Sequence, residues 1–251
     1  MRQSAVVHSD ETGWRIGLLN AWLWVFTNQY LTVYTIRTSR GHEVVMDILG
    51  RKFRGVLVAD CFTAYDHREL QDWLQQKCLG HLLNDLGQLR ETKTRGAVRF
   101  AQDVMVVLRA ALALRAQKPS LTQRQFRRRA GRLERQLDRL IDARRQWTDA
   151  DNRRLARRLR KQRAHLFRFL YTPDLDATNN HAERMLRPAV ITRKTTGCNR
   201  TPDGALAHSI LASILATCRQ QGFPLLDTLV RLQRATQVNL ATLGSLSLPA
   251  P

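Results

Sequence analysis

Two short apolar runs that each end in an aspartate limit the folds open to this chain. They are Ala5-Val6-Val7-His8-Ser9-Asp10 and Gly55-Val56-Leu57-Val58-Ala59-Asp60. A continuous apolar, β-branched run of this length reads as a strand covered on both faces, as in a parallel or mixed sheet. An acid has no place inside such a strand. At the carboxyl end it does, because in open α/β sheets ligands gather there. Two such strands can bring two carboxylates to one sheet edge, a setting suited to a hard divalent cation.

The residues between the two runs say how they meet. Residues 4–37 read as three strands. Trp22, Trp24 and Phe26 alternate on one face, and a short Thr27-Asn28-Gln29 link leads to Leu31–Ile36, so the three form an antiparallel meander. A helix follows over about 41–49, with Ser39 at its start and Gly50 at its end. Strand–helix–strand with short links is a crossover, which makes 55–60 parallel to a meander strand. If that neighbour is the first strand, Asp10 and Asp60 lie side by side.

Further along, residues 66–76 fit a helix, 76–79 a short fifth strand and 81–92 a second helix. Residues 98–170 carry only helical periods, and Pro173 closes them. Residues 189–204 read as a basic loop. An amphipathic helix spans 203–220, with Leu206, Ile210, Ile214 and Leu215 on one face, and a last helix runs from about Pro224 to Thr236. The expected organisation is a core begun by residues 1–97, a basic helical insertion over 98–172, the rest of the core over 173–237 and a flexible tail over 238–251.

The charge points to a partner. With 41 basic and 21 acidic residues, net +20, a polyanion is favoured, and nucleic acid is the commonest. Residues 115–163 alone hold 18 Arg and Lys against 5 Asp and Glu, too one-sided for salt bridging along helices, so phosphate contact is preferred to a merely solvated face. An apolar content of 43% excludes a disordered composition. Cys61, Cys78, Cys198 and Cys218 show no paired spacing and read as reduced thiols. No apolar run approaches the ~20 residues that span a bilayer, and no signal-peptide pattern opens the chain. A soluble, cytoplasmic protein without membrane contact is expected.

Asp10, Asp60 and Glu183 form a candidate catalytic and metal-binding triad. Two magnesium ions about 3.5–4 Å apart can clamp the attacking and leaving oxygens of a phosphoryl transfer, and they need several carboxylates. Without metal, three crowded acids repel, and one would hold a proton. The competing reading makes the aspartates ordinary turn residues and Glu183 the third residue of a capping box opened by Asn180. Asn179 and Asn180, one turn earlier, either orient Glu183 or a metal-bound water, or cap the helix. Arg184, Arg187, Arg193, Lys194 and Arg200 read as DNA-backbone contacts. Glu11 should face the other side of its strand. Cys78 and His81 make half of a zinc ligand set, but no second pair of that spacing completes it, so packing or hydrogen bonding is expected of them.

Residue identity adds to this. The stretches His8-Ser9-Asp10-Glu11-Thr12-Gly13-Trp14-Arg15, Val58-Ala59-Asp60-Cys61-Phe62-Thr63-Ala64-Tyr65-Asp66 and Thr178-Asn179-Asn180-His181-Ala182-Glu183-Arg184 closely resemble the DDE transposases of the insertion-sequence-66 family. So do Cys78 to Leu86 and Arg187-Pro188 through Asn199-Arg200, and the likeness covers about residues 5–235 in the right order. The resemblance implies an α/β, ribonuclease-H-like mixed sheet: an antiparallel three-strand meander plus parallel strands, a large all-helical insertion and C-terminal helices. It implies that Asp10, Asp60 and Glu183 match the catalytic acids, with two Mg²⁺ or Mn²⁺ ions per site. Double-stranded DNA, as transposon ends and target, and a homo-oligomer on that DNA are the implied partners. The implied activity is metal-dependent DNA cleavage and strand transfer. The chain starts nine residues before Asp10, whereas the family's proteins carry a long end-recognising amino-terminal part. A catalytic portion that is not autonomous is therefore expected. The alternatives are a ribonuclease-H-fold nuclease that cuts without joining, and a remnant that only binds DNA.

Overall fold

A computed structural model describes residues 1–94 and 96–234. The tail expected over 238–251 lies outside the described residues. Five strands form one mixed sheet: β1 (Val6–Ile16), β2 (Leu19–Thr27), β3 (Thr32–Arg37), β4 (Val56–Ala59) and β5 (Leu74–Lys77), in the order β3-β2-β1-β4-β5. The first three are antiparallel neighbours, and β4 and β5 run parallel to β1. Gly17 makes the first hairpin possible. Its φ of +59° suits the tight turn that pairs Ile16 with Leu19, a conformation that residues with a Cβ rarely adopt. At the second turn the Asn28 side-chain oxygen accepts the Tyr30 and Leu31 N–H groups, both at 2.8 Å.

Both faces of the sheet are covered, which explains why every residue of β4 is buried. On one face α1 (His42–Leu49) packs Val44, Val45 and Leu49 against Val7, Trp24, Phe26 and Leu57. On the other, Val56 and Val58 meet Leu82 and Leu86 of α2 (Leu79–Thr92). The same core takes in Val104 and Leu108 of α3 (Ala97–Ala116). The meander half of that face, with Leu23, Val25 and Tyr34, is covered by Ala182, Leu186 and Ala189 of α7 (Asn180–Thr196). Between α3 and α7 lie α4 (Gln123–Leu140), α5 (Ala150–Gln162) and α6 (Arg168–Tyr171). Thr122 opens α4 with a capping box, and the Asp149 side chain caps α5.

Three local expectations are corrected. Residues 66–76 are not a helix; two short 3-10 turns, Thr63–Asp66 and Arg68–Leu70, lead straight into β5. The fifth strand expected over 76–79 lies two residues earlier, and its bounds are hard to read because its buried residues are Gln75, Gln76 and Lys77. The two amides are spent on backbone carbonyls of Tyr65, Leu70, Lys77 and Leu166, so burial leaves their N–H groups satisfied. Residues 189–196 are not a loop, for α7 continues through Pro188 to Thr196 and ends at Gly197, φ +79°. Packing of Leu186 and Ala189 on the sheet overrides the proline.

The third concerns α8 (Pro202–Gln221), which is followed by α9 (Leu225–Arg234). Its leucine and isoleucine stripe faces outward, with Leu206, Ile210 and Leu215 exposed. The buried face carries hydroxyls instead. Thr217, Ser213 and Ser209 accept the backbone N–H groups of Thr32, Tyr34 and Ile36 at 3.1, 2.8 and 3.2 Å. β3 is an edge strand, and its free N–H groups need partners more than α8 needs an apolar contact there.

Candidate active site

The register of β1 and β4 pairs Val6 with Val56, Val7 with Leu57 and His8 with Val58. Continued two residues past the last pair, the register would set Asp10 next to Asp60, and the Asp60 charge is near enough to raise the Asp10 pKa. Alternation turns His8, Asp10 and Trp14 toward α7 and Val7, Ser9 and Glu11 toward the opposite face. Burial pushes the Asp10 carboxyl up to about 7, and the negative charges of Glu11 and Asp60 add to this, while the Glu11 N–H bond and His81 oppose it. Asp60 is held by an N–H bond from Phe62 to its Oδ1 at 2.8 Å.

Glu183 comes from α7, and Asn179 fixes where that helix starts. The Asn179 side chain is fully buried and makes no capping bond. Its Nδ2 donates to the Ser9 carbonyl at 2.8 Å, and its Oδ1 meets His8 Nδ1 at 3.3 Å. Its backbone N–H donates to Cys78 Sγ at 3.1 Å. One residue thus joins α7, β1 and the head of α2 next to Asp10. His8 completes the joint as a neutral ring, since burial and then the nearby His181 push its pKa down to about 4. Replacing Asn179 with alanine should lower stability by about 1–3 kcal/mol, because it strips a buried carbonyl of its donor. Urea unfolding measures this, and a loss below about 0.5 kcal/mol would mean the joint is not there.

From α7, Glu183 reaches His81, with Oε1 and Nδ1 3.7 Å apart. The Cys78 sulfur chiefly pushes the His81 pKa up, burial opposes it, and the charges of Glu183 and Asp60 add to the rise, to about 9. Asp10 feels the same ring. One imidazole therefore lies within electrostatic reach of all three acids. Asn180 is exposed on the first turn of α7.

Of the basic residues singled out in the sequence, Arg184, Arg187 and Lys194 share one exposed side of α7, and Arg200 is exposed beyond it. Arg193 points the other way, donating to Thr12 Oγ1 at 3.1 Å and to the Gly13 carbonyl. Glu11 lies on the far face as alternation required. It accepts the Tyr65 hydroxyl at 3.1 Å and the Arg40 guanidinium at 2.8 Å. Two further polar groupings escape sequence reasoning. One is the Cys78–His81–Glu183 cluster. The other is a buried ion pair between Lys77 and Asp66 at 2.9 Å. A Cys-x-x-His spacing hints at the first; nothing local hints at the second.

The family described as "Transposase IS66 family" matches residues 1–207. No curated protein matches the chain. Among solved structures, the dimeric form of the HTLV-2 integrase catalytic core domain in complex with magnesium aligns at 15% identity, over 40% of this chain and 84% of that one, with a TM-score of 0.24. The trimeric form aligns at 12% identity, over 41% and 83%, with a TM-score of 0.23. With the family match spanning most of its length, this chain belongs to the IS66 family of transposases.

Proposed function

We propose that this chain carries the catalytic core of its transposase family and cuts and joins DNA with the help of divalent cations held by Asp10, Asp60 and Glu183. The observation that carries the reading is the electrostatic coupling of two strand-end aspartates, one of them with a carboxyl pushed up to about 7, to the imidazole that Glu183 reaches from α7. The strand order, with three antiparallel and two parallel members, supports a ribonuclease-H-like core. Residues 1–97 and 173–237 would build that core around the helical insertion of 98–172.

By ligand type the donor set fits Mg²⁺ or Mn²⁺. It offers three carboxylates, hard oxygen ligands, one of them with its pKa raised chiefly by burial and then by the charges of Glu11 and Asp60. When bound, two such ions supply charge neutralisation at the attacking and leaving oxygens of a phosphoryl transfer. The chain does the rest. The register of the parallel strands would set Asp10 against Asp60, and Asn179 would seat the helix that presents Glu183. Arg184, Arg187, Lys194 and Arg200 would hold the phosphates of double-stranded DNA. Arg193, tied to Thr12 and Gly13, would add only its remaining N–H groups. The basic helices of the insertion extend the same field along the duplex. Among the described residues no helix is long and apolar enough to cross a membrane. Self-association on DNA completes the reading, since joining requires two ends in one assembly.

An Asp60→Asn chain tests it on labelled transposon-end DNA with Mg²⁺. Nicking and joining should both fall by at least about 10³-fold, the several kcal/mol that ion-held charge stabilisation supplies. DNA binding at fixed salt should not weaken. Unchanged cutting by this variant would overturn the proposal. Cutting without joining by the wild type would reduce it to a nuclease.

A further inference from the structure

Cys78 and His81, read alone, are half of a metal ligand set. In the fold a third ligand arrives from more than a hundred residues away. The Cys78 sulfur, a His81 ring nitrogen and a Glu183 carboxylate oxygen all lie within 4.8 Å of one another. We propose that these three side chains form a binding site for a thiophilic divalent cation such as Zn²⁺, distinct in its ligand chemistry from the all-carboxylate set of Asp10, Asp60 and Glu183.

Three observations support it. Ligand atoms about 2.0–2.3 Å from one tetrahedral ion stand roughly 3.3–3.7 Å apart; His81 Nδ1 and Glu183 Oε1 are 3.7 Å apart. His81 Nδ1 is shielded from solvent and makes no well-aligned hydrogen bond, although the Cys78 sulfur is near enough to raise the ring's pKa and the ring's other edge is open. Such a nitrogen is costly to bury unless something takes its lone pair or proton. Cys78 is fully buried, and its sulfur accepts the Asn179 N–H at 3.1 Å, a bond that persists when the sulfur is a metal-bound thiolate.

The chemistry separates the two sites. Sulfur and imidazole select zinc or cobalt, whereas three carboxylates suit magnesium or manganese. Binding at the sulfur site forms metal–sulfur, metal–nitrogen and metal–oxygen bonds and releases to solvent both the thiol proton and the ring proton that His81 carries when charged. Three protein ligands leave a position for water. Since Glu183 belongs to both sets, an ion at the sulfur site competes with Mg²⁺ for that carboxylate. This corollary rests on the proposed function; the binding itself does not.

The test uses the full chain, reduced and freed of metal, titrated with Co²⁺ and followed by absorption. One equivalent should bring visible d–d bands and a near-ultraviolet sulfur-to-cobalt band. Cys78→Ser should remove the sulfur band, and His81→Ala and Glu183→Gln should each weaken Co²⁺ affinity by roughly tenfold or more, the scale of losses that follow damage to a metal site. Cys198→Ser should keep the spectrum. Asp60→Asn, the variant that tests DNA cutting, should keep it too, so the two proposals fail separately. Absence of a sulfur band on the folded wild type, or its survival in Cys78→Ser, overturns the site. If Cys78→Ser does not fold by circular dichroism, His81→Ala decides: a tenfold loss supports the site, and unchanged affinity overturns it.

Discussion

Asp10→Asn is expected to unfold later than the wild type at pH 8 without metal, and at the same time to lose DNA cutting and joining by about 10³-fold or more. The two effects share one cause. In the fold the Asp10 carboxyl is pushed up to about 7 by burial, Glu11 and Asp60. In the unfolded chain it returns to about 3.9. The fold thus prefers the protonated acid, and the stability this gives is complete below about pH 4, falls as pH rises toward 7 and is flat beyond. Three pH units at about 1.4 kcal/mol each set an upper bound, so a gain of roughly 2–4 kcal/mol at pH 8 is expected. Asparagine matches the neutral acid in shape and can still accept the Glu11 N–H bond made at 2.9 Å. Urea unfolding in chelator at pH 8 and at pH 4.5 reads the gain and its disappearance. Mg²⁺ should stabilise the wild type and narrow the gap, because an ion bound only by the native state adds to its stability. A variant less stable than wild type at pH 8 would show that Asp10 is not strained by its neighbours.

Much of this arrangement follows from the order of residues. The runs ending at Asp10 and Asp60 are apolar enough to be buried strands, and the short crossover through α1 leaves them no orientation but parallel. Where burial rests on polar residues, the pattern blurs. β5 buries Gln75, Gln76 and Lys77, and α8 turns its hydroxyls inward and its leucines out. In both, the deciding term is satisfaction of backbone or side-chain polar groups by distant partners, which periodicity does not encode. Glu183 is a sharper case. Its motif singles it out by resemblance, yet no spacing joins residue 183 to residue 10. The joint is made by Asn179 reaching Ser9 and His8. The same long-range packing delivers Glu183 to Cys78 and His81, a contact that a Cys-x-x-His spacing leaves open.

Asp66→Ala is expected to cost more than Lys77→Met, though both break one ion pair. Lys77 is fully buried at the end of β5, and its ammonium lies 2.9 Å from Asp66 Oδ1. Asp66 has other partners: Gln162 Nε2 at 2.6 Å and Lys161 at 3.2 Å, both from α5. Removing the acid leaves a charge in the core without a counter-ion, a loss of about 3–5 kcal/mol. Removing the lysine leaves an acid that α5 still holds, so about 1–3 kcal/mol is expected. The double variant, with neither charge, should recover at least about 1 kcal/mol relative to Asp66→Ala alone, and a double-mutant cycle measures that coupling. Burial raises the Asp66 pKa, but Lys77, Gln162 and Lys161 outweigh it and hold the carboxyl below its usual range. A depressed acid stabilises the fold fully above about pH 4 and loses this as pH falls through its folded pKa. Acid unfolding of Asp66→Ala should therefore lack part of the wild type's steepness below pH 4. The pair also joins the helical block to the strand beside Asp60, so Asp66→Ala should loosen α5 first, seen as faster amide exchange there than in β1. Equal costs for the two single variants, or a double variant weaker than Asp66→Ala, would mean that the core tolerates the lone ammonium and that α5 is held by other contacts.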